Sequence, residues 1–554
     1  MSVQHTLDRA SLLEGEEMAT AHLDTAHRGD IVGAFGTLRQ HDSAPRTSWM
    51  ARLLTLLAII GPGLIVMVGD NDAGGVSTYA QAGQNFGTSL LWVLLLLIPV
   101  LIVNQEMVVR LGIVTGVGHA RLIIERFGKF WGAFSVGDLF LLNFLTVVTE
   151  FIGIGLAMSY LGVSAVLAVP LAAALLIAIT VTGSFRRWER FMFLFIAVNF
   201  LAVPLAFMSH PTLGPIVHDT LVPQVSGGLN SNALLLIIAM VGTTVAPWQL
   251  FFQQSNVIDK RLTPRWMAYE RTDTWIGAFV VILGAGALVI VTAFAFAGTP
   301  FFGHFVDGGT VAALLGQRLG HLAGTMFAII LLNASLIGAA AVTLSTAYAF
   351  GDVFKVKHSL HRRWWDAWGF YSTYALFVVI AAVVVLIPGA PLGLITTGVQ
   401  ALAGVLLPSA TVFLLLLCND RAVLGPWVNK PWLNVVGSAI IGVLVMLSLI
   451  LAATTLFPTL DVRPLLVALS GALVGGLLLV GLLQVLRRRK AGAASPTAAE
   501  PALDRISWQM PKLASLPKPV WSTARKVGML TLRGYLVVAL LLVVVKVIQL
   551  AIGH

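Results

Sequence analysis

Long apolar runs separated by short polar connectors govern this chain. After a hydrophilic stretch over residues 1–48, runs of about twenty apolar residues, the length that crosses a bilayer core, predict twelve spans. Spans 1 to 5 are expected near Met50–Gly83, Ser89–Leu111, Trp131–Tyr160, Val163–Thr182 and Phe191–Met208, and spans 6 and 7 near Ala233–Val257 and Trp275–Ala297. Span 8 precedes KVKHSLHRRWW; spans 9 to 12 fall near Ala367–Ile387, Leu392–Leu417, Leu433–Leu456 and Leu465–Leu486. A last apolar run, Tyr535–Ile552, is interrupted by Lys546 and reads as a thirteenth span or as a helix lying in the interface.

Two spans break the pattern. In GPGLIVMVGDNDAGGVSTYAQAG, Gly61 to Gly83, an apolar helix meets Asp70, Asn71 and Asp72 at about mid-membrane, directly followed by Ala73-Gly74-Gly75. Carboxylates in hydrocarbon cost several kcal/mol each, and paired glycines weaken a helix, so a broken helix lining a polar cavity is expected. Such a cavity suits a cation. In span 6, IAMVGTTVAPWQLFFQQS, Pro247 removes a backbone donor after Gly242, Thr243 and Thr244, which predicts a second break. A simple proline kink would explain span 6 alone. Two breaks five spans apart, however, are what an inverted-repeat transporter with a midplane site shows.

Composition agrees: 57% of the 554 residues are hydrophobic and 11% charged, and the mean hydropathy is +0.89. This predicts an all-α polytopic membrane protein. The net charge of +10 does not point to nucleic acid, because Lys and Arg sit in clusters such as GHARLIIERFGK, GSFRRWERF, DKRLTPRWMAYERTD and RRRK. These clusters follow the even-numbered spans, which places them and the N-terminus in the cytoplasm of a cell-membrane protein. The first of them reads as a short basic amphipathic helix. No cleavable signal peptide is read in the first thirty residues. One cysteine, Cys418, excludes an intrachain disulfide and a cysteine metal site, and His210, His218, His304 and His321 have no ligand spacing.

The motifs GPG (Gly61–Gly63), QAG (Gln81–Gly83), LLWVLLL (Leu90–Leu96), RLGIVTG (Arg110–Gly116), TEFIG (Thr149–Gly153) and the segment Gln400–Gly425 resemble the NRAMP-type divalent-metal transporters. The resemblance runs from about Arg46 to Val423 and implies a LeuT-like fold: two inverted five-helix repeats with discontinuous helices 1 and 6, plus extra C-terminal transmembrane helices. The divisions expected are a disordered cytoplasmic tail over 1–48, a transport core over 49–420, helices 11 and 12 over 421–488, a cytoplasmic linker over 489–530 and a terminal hydrophobic helix over 531–554.

The family's span 1 signature DPGN stands here as Asp72, Ala73, Gly74 and Gly75, and its span 6 signature A-x-x-M-P-H as Thr243 to Trp248. Carried over position by position, the metal-binding positions are Asp72, Gly75, Thr243 and Ala246, with Gln400 of span 10 approaching the metal. Asp72 keeps the carboxylate, Gly75 removes an amide, Ala246 removes a thioether and Thr243 adds a hydroxyl. Without sulfur the site loses its preference for transition metals, and without two side chains it widens. Both changes favour Mg²⁺, which dehydrates reluctantly, and resemble the NRAMP-related magnesium transporters. The expected substrate is Mg²⁺, with Mn²⁺ weaker, carried largely hydrated; no cofactor or enzymatic activity is expected.

Proton-coupled relatives use titratable groups that here are Val147, Trp248, Gln253 and an uncharged stretch from Ala367 to Gln400, leaving Glu150 in span 3. Uniport follows. Asp70 serves as a second acid for hydrated cations or caps the helix after the break; Asn71 meets a bound water or satisfies loop backbone. Thr243 either faces the ion or back-bonds to its own helix. Thr244 is read as standing beside it, one layer further from the ion, Gln249, Gln253 and Gln254 are read as lining an inner vestibule, and Glu150 requires water, a hydroxyl or a backbone partner. Glu106 and Asp352, near helix ends, are expected in solvent. Three alternatives remain: a proton-coupled Mn²⁺/Fe²⁺ transporter, a Na⁺-coupled amino-acid symporter of the same fold, and an intramembrane enzyme or scaffold. HExxH, nucleophile-elbow and P-loop motifs are absent from the chain, which weakens the last.

Overall fold

The computed structural model describes residues 25–387, 392–456, 462–491 and parts of 505–537. Among the described residues, ten helices are long and apolar enough to cross a membrane: Leu91–Thr115, Lys129–Tyr160, Phe185–Met208, Ser231–Asp259, Pro264–Phe296, His321–Phe354, Trp368–Val385, Ile395–Cys418, Pro431–Ala453 and Val462–Leu479. Span 1 and the shorter apolar helix Ala165–Thr180 bring the number to the twelve expected.

Span 1 is in three pieces. Trp49–Ile59 bends by 54° into Pro62–Val68, and after Asp72 the chain resumes as Ala73–Phe86. The second break is the one expected. The bend was not, although GPG encodes it: Gly61 takes φ +152, open to glycine alone, and Pro62 starts a new helix where its missing N–H is no loss. Span 6 divides into Ser231–Thr244 and Pro247–Asp259, with Pro247 again in the first helical position. Spans 1 and 6 therefore interrupt at matching places in two five-helix halves.

Those halves interlock. The second half of span 1 packs on span 7, span 3 lies along span 8, and the first half of span 6 lies along span 10. Glycines permit the closest approaches; Gly242 of span 6 meets Gln400 O and Gly404 of span 10 backbone to backbone. Helices Leu213–Leu221 and Gly308–Leu319 connect spans on the face opposite the tail.

Two boundaries shift. Span 7 is helical from Met267, eight residues before Trp275, because Glu270 and Asp273 find partners inside the protein. The tail is not disordered over 25–48: a 3-10 turn, Thr25–His27, leads into a hairpin of Ile31–Val32 with Thr37–Leu38. Its Ile31, Ala34 and Leu38 are buried against the bundle, an apolar payload that the polar average of the segment hides. The short helix expected from GHARLIIERFGK forms as His119–Phe127, with Arg126 paired to Asp420 at 2.7 Å. Whether residues 531–554 span the membrane falls mostly on residues outside those described; Tyr535 donates to Val405 O at 2.7 Å.

Candidate functional site

The break in span 1 is built from its own capping chemistry. Asp72, extended at φ −73 and ψ −175, is the N-cap of Ala73–Phe86, and its Oδ1 accepts from Gly75 N at 2.6 Å. Glu150 of span 3 reaches in from the side, and its Oε2 accepts from Ala73 N at 3.0 Å. Two carboxylates thus sit on the positive end of one helix, which is where a helix dipole stabilises them. They crowd against Gly338 of span 8: a Cβ there would lie 2.6 Å from Glu150 Oε2 and 2.7 Å from Asp72 Cβ.

Asp70 does not cap the helix. It is 0% exposed, and neither carboxylate oxygen has a hydrogen-bond partner among the described residues. Asn71 does not serve the loop backbone: its Nδ2 donates to Val281 O of span 7 at 3.1 Å, and its Oδ1 has no hydrogen-bond partner among the described residues.

Span 6 supplies the other wall. Thr243 Oγ1 is buried without a partner, and it would lie 3.1 Å from a Cβ at Gly75. Thr243 therefore does not back-bond; Thr244 does, donating to Met240 O at 2.6 Å, with Tyr79 Oη 2.8 Å from the same hydroxyl. Ala246, the N-cap of the second half, brings only a methyl. From span 10, the Gln400 amide lies against Gly74, so closely that any side chain at 74 would overlap it, and its Nε2 has no partner. Asp72, Gly75, Thr243 and Gln400 are thus brought together at the facing breaks. All are buried, and Ala246 is 5% exposed. The width expected from the two lost side chains is taken up by Gln400 and by span 6 closing on Gly75.

The three glutamines do not line an open vestibule. Gln249 accepts from Gln105 at 2.9 Å, Gln253 donates to Glu270 at 3.0 Å, and Gln254 donates to Val117 O at 2.6 Å. Each is fully buried, its amide taken up by a neighbouring segment of the protein. Asp352 leaves solvent and lies 3.3 Å from His358 Nε2, whereas Glu106 stays partly exposed and bridges Arg110 at 3.1 Å and Arg271 at 2.6 Å.

Sequence reading missed a second buried group. Glu189, Lys260, Glu270 and Asp273 gather at the bend of span 1, all at most 1% exposed. Asp273 accepts from Gly61 N at 3.0 Å, Gly63 N at 2.7 Å and Leu64 N at 3.1 Å, capping Pro62–Val68 from span 7. Lys260 Nζ donates to Glu189 at 2.5 Å and to Ile60 O at 2.9 Å. The signal was present: Glu270, Thr274, Gly277, Ala278 and Val281 recur at helical spacing with the apolar face of span 7.

Chemically, the facing breaks hold buried oxygen acceptors in excess of donors: both Asp70 oxygens, Asn71 Oδ1 and Thr243 Oγ1 lack hydrogen-bond partners among the described residues. A buried unsatisfied acceptor is costly, and a cation or its water relieves it. Among the described residues, no three His, Cys, Asp or Glu side chains group closely enough to hold a metal by themselves. A cation at the breaks would rely on one or two carboxylates and neutral oxygens.

The family model described as natural resistance-associated macrophage protein-like matches residues 63–454, more than half of the chain and both breaks. The chain belongs to the NRAMP family. Among relatives of this NRAMP protein, a divalent metal cation transporter MntH of Ralstonia nicotianae is 31% identical over 395 residues, 68% of this chain and 86% of that one. Another MntH, from Latilactobacillus sakei, is 27% identical over 421 residues, 72% of this chain and 90% of that one. The crystal structure of the Eremococcus coleocola manganese transporter, in complex with an aromatic bis-isothiourea compound, superposes with a TM-score of 0.60 at 21% identity, covering 80% of this chain and 97% of that one. The fold is LeuT-like and polytopic, and the NRAMP chain is a transporter rather than an enzyme.

Proposed function

We propose that this NRAMP protein carries divalent metal cations across the cell membrane by alternating access, with Mg²⁺ its main substrate and Mn²⁺ a weaker one. The observation that carries the reading is the donor set at the facing breaks: the Asp72 carboxylate, the Thr243 hydroxyl and the Gln400 amide, with glycine at 75 and a methyl at 246. Oxygen donors without a thioether suit a hard ion that keeps its waters, whereas soft ligands select transition metals. Asp70, with two unpartnered oxygens, serves in this reading as the outer acid that attracts the hydrated ion.

Transport without proton coupling rests on the residues that replace a titratable relay: Val147, Trp248 and Gln253, with Glu150 committed to the Ala73 amide. A divalent ion entering down a membrane potential gains about 4.6 kcal/mol per 100 mV, from roughly 2.3 kcal/mol per charge. The basic clusters after even-numbered spans support a cytoplasmic tail-bearing face. The second reading is proton-coupled manganese transport, favoured by the substrates in the relatives' names. Proteoliposomes separate the two. The first predicts Mn²⁺ influx that excess Mg²⁺ suppresses and that leaves lumenal pH unchanged; metal-dependent acidification with no effect of Mg²⁺ supports the second.

A further inference from the structure

The hairpin of the tail is wedged beneath span 1. Both glycines of its turn press on Ala58, the last turn of Trp49–Ile59: a Cβ at Gly36 would lie 2.9 Å from Ala58 Cβ, and one at Gly33 would overlap Ala58 O. Between them, Ala34 is 1% exposed and donates its N–H to Glu189 Oε2 at 2.5 Å. Span 5 grips the turn from the other side. Arg186 Nε donates to Gly33 O at 3.1 Å, Arg190 Nε to Ala34 O at 2.9 Å, and Phe35 packs edge-on against Phe193 with centroids 4.6 Å apart. Upstream, Arg261 holds Ala26 O through two donors, at 2.9 and 2.7 Å.

Glu189 does not stop at the hairpin. Its other oxygen accepts from Lys260, whose Nζ also holds Ile60 O at the bend, while Asp273 holds the next three available amides. A continuous chain of buried hydrogen bonds therefore runs from Ala34 N–H through Glu189 and Lys260 to Ile60. The helix so fixed, Pro62–Val68, ends four residues before Asp72. Ala58, pressed by the hairpin, and Ile60, held by Lys260, thus tie the segment leading into Pro62–Val68 to its neighbours on the tail-bearing face.

We propose that the hairpin over residues 31–38 is a latch on the tail-bearing face, and that Glu189 is the positioning residue through which it holds the first half of span 1 closed. The proposal rests on the transport reading. Release of the hairpin takes the Ala34 N–H from Glu189 Oε2 and lets water reach the Glu189–Lys260 pair, which screens that pair and frees the bend. The latch sets how often the inner half of span 1 opens and leaves the composition of the metal site untouched.

The test uses the full chain in liposomes, with Cys418→Ser and Leu64→Cys in the helix Pro62–Val68, and a specific protease site inserted in the exposed stretch between His41 and Ala44. Cutting the folded protein and washing away the tail avoids any folding defect; Ala34→Pro, which removes the donor, is the second variant. Both are expected to raise maleimide labelling at position 64 about tenfold, and to raise the maximal rate of Mn²⁺ uptake with the half-saturating concentration unchanged. Labelling unchanged by cleavage overturns the latch, as does faster labelling with an unaltered uptake rate. Absence of uptake in the uncut protein refutes the transport reading instead, while labelling still reports on the latch.

Discussion

The Gln400 amide lies where a side chain at Gly74 would have to go, so span 10 closes on span 1 through a position that only hydrogen can occupy. Gly74→Ala is expected to push Gln400 aside, cost about 1–3 kcal/mol of stability from overpacking, and weaken metal binding roughly tenfold. Adding Gln400→Ala should restore the stability and not the affinity. Calorimetric titration together with thermal unfolding reads both.

Asp72 and Asp70 are distinguished by their partners. Asp72→Asn keeps an acceptor for Gly75 N–H and loses the charge, so metal binding should disappear with a small change in melting temperature. Asp70→Asn neutralises a carboxylate that no described residue serves. It should preserve or raise stability while lowering apparent metal affinity severalfold; unchanged affinity would remove Asp70 from the ion's path.

Ala246→Met adds the soft donor that position 246 lacks. Binding of Mn²⁺ relative to Mg²⁺ should rise by about an order of magnitude, as measured by competition in the same titration. A ratio that does not move would show that residue 246 does not face the ion.

Much of this architecture was legible in the chain, and for identifiable reasons. Apolar runs of bilayer length fix the spans, and the breaks announce themselves because Asp70 to Asp72 and Pro247 cannot continue a buried helix unaided. What stayed hidden depends on long-range partners. Glu270 and Asp273 read as loop because their partners, Gln253 and the amides of Gly61, Gly63 and Leu64, lie elsewhere in the sequence. The hairpin was lost in a polar tail whose four or five buried residues do not move an average. Asp72 and Asp70 are two residues apart, and only the turn between them decides that Asp72 caps the helix.

Asp273 is expected to matter for stability before it matters for transport. Asp273→Ala leaves three buried amides at the start of Pro62–Val68 without an acceptor, a loss on the order of 3 kcal/mol. Denaturant unfolding in detergent checks this; Asp273→Asn, which keeps an acceptor, should lose less.

The loop after span 8 should loosen as pH rises. Burial opposes charge on His358, but the hydrogen bond and charge of Asp352 outweigh it and raise its pKa above the ordinary 6.5. The folded state therefore binds the proton more tightly. The stabilisation is full below about pH 6.5, the unfolded value, and is lost as pH climbs through the folded one. Hydrogen exchange over residues 355–363 should accelerate, beyond its intrinsic base dependence, as pH rises above the ordinary histidine value and through the raised one, and Asp352→Asn should abolish the excess.

Calorimetric titration of Mg²⁺ and Mn²⁺ into the wild-type protein and into Asp72→Ala tests the oxygen-only, water-retaining site most directly. Weak and nearly equal affinities for the two ions, both lost in the variant, are the predicted result. Tight Mn²⁺ binding beside undetectable Mg²⁺ binding, or binding that survives Asp72→Ala, would contradict it.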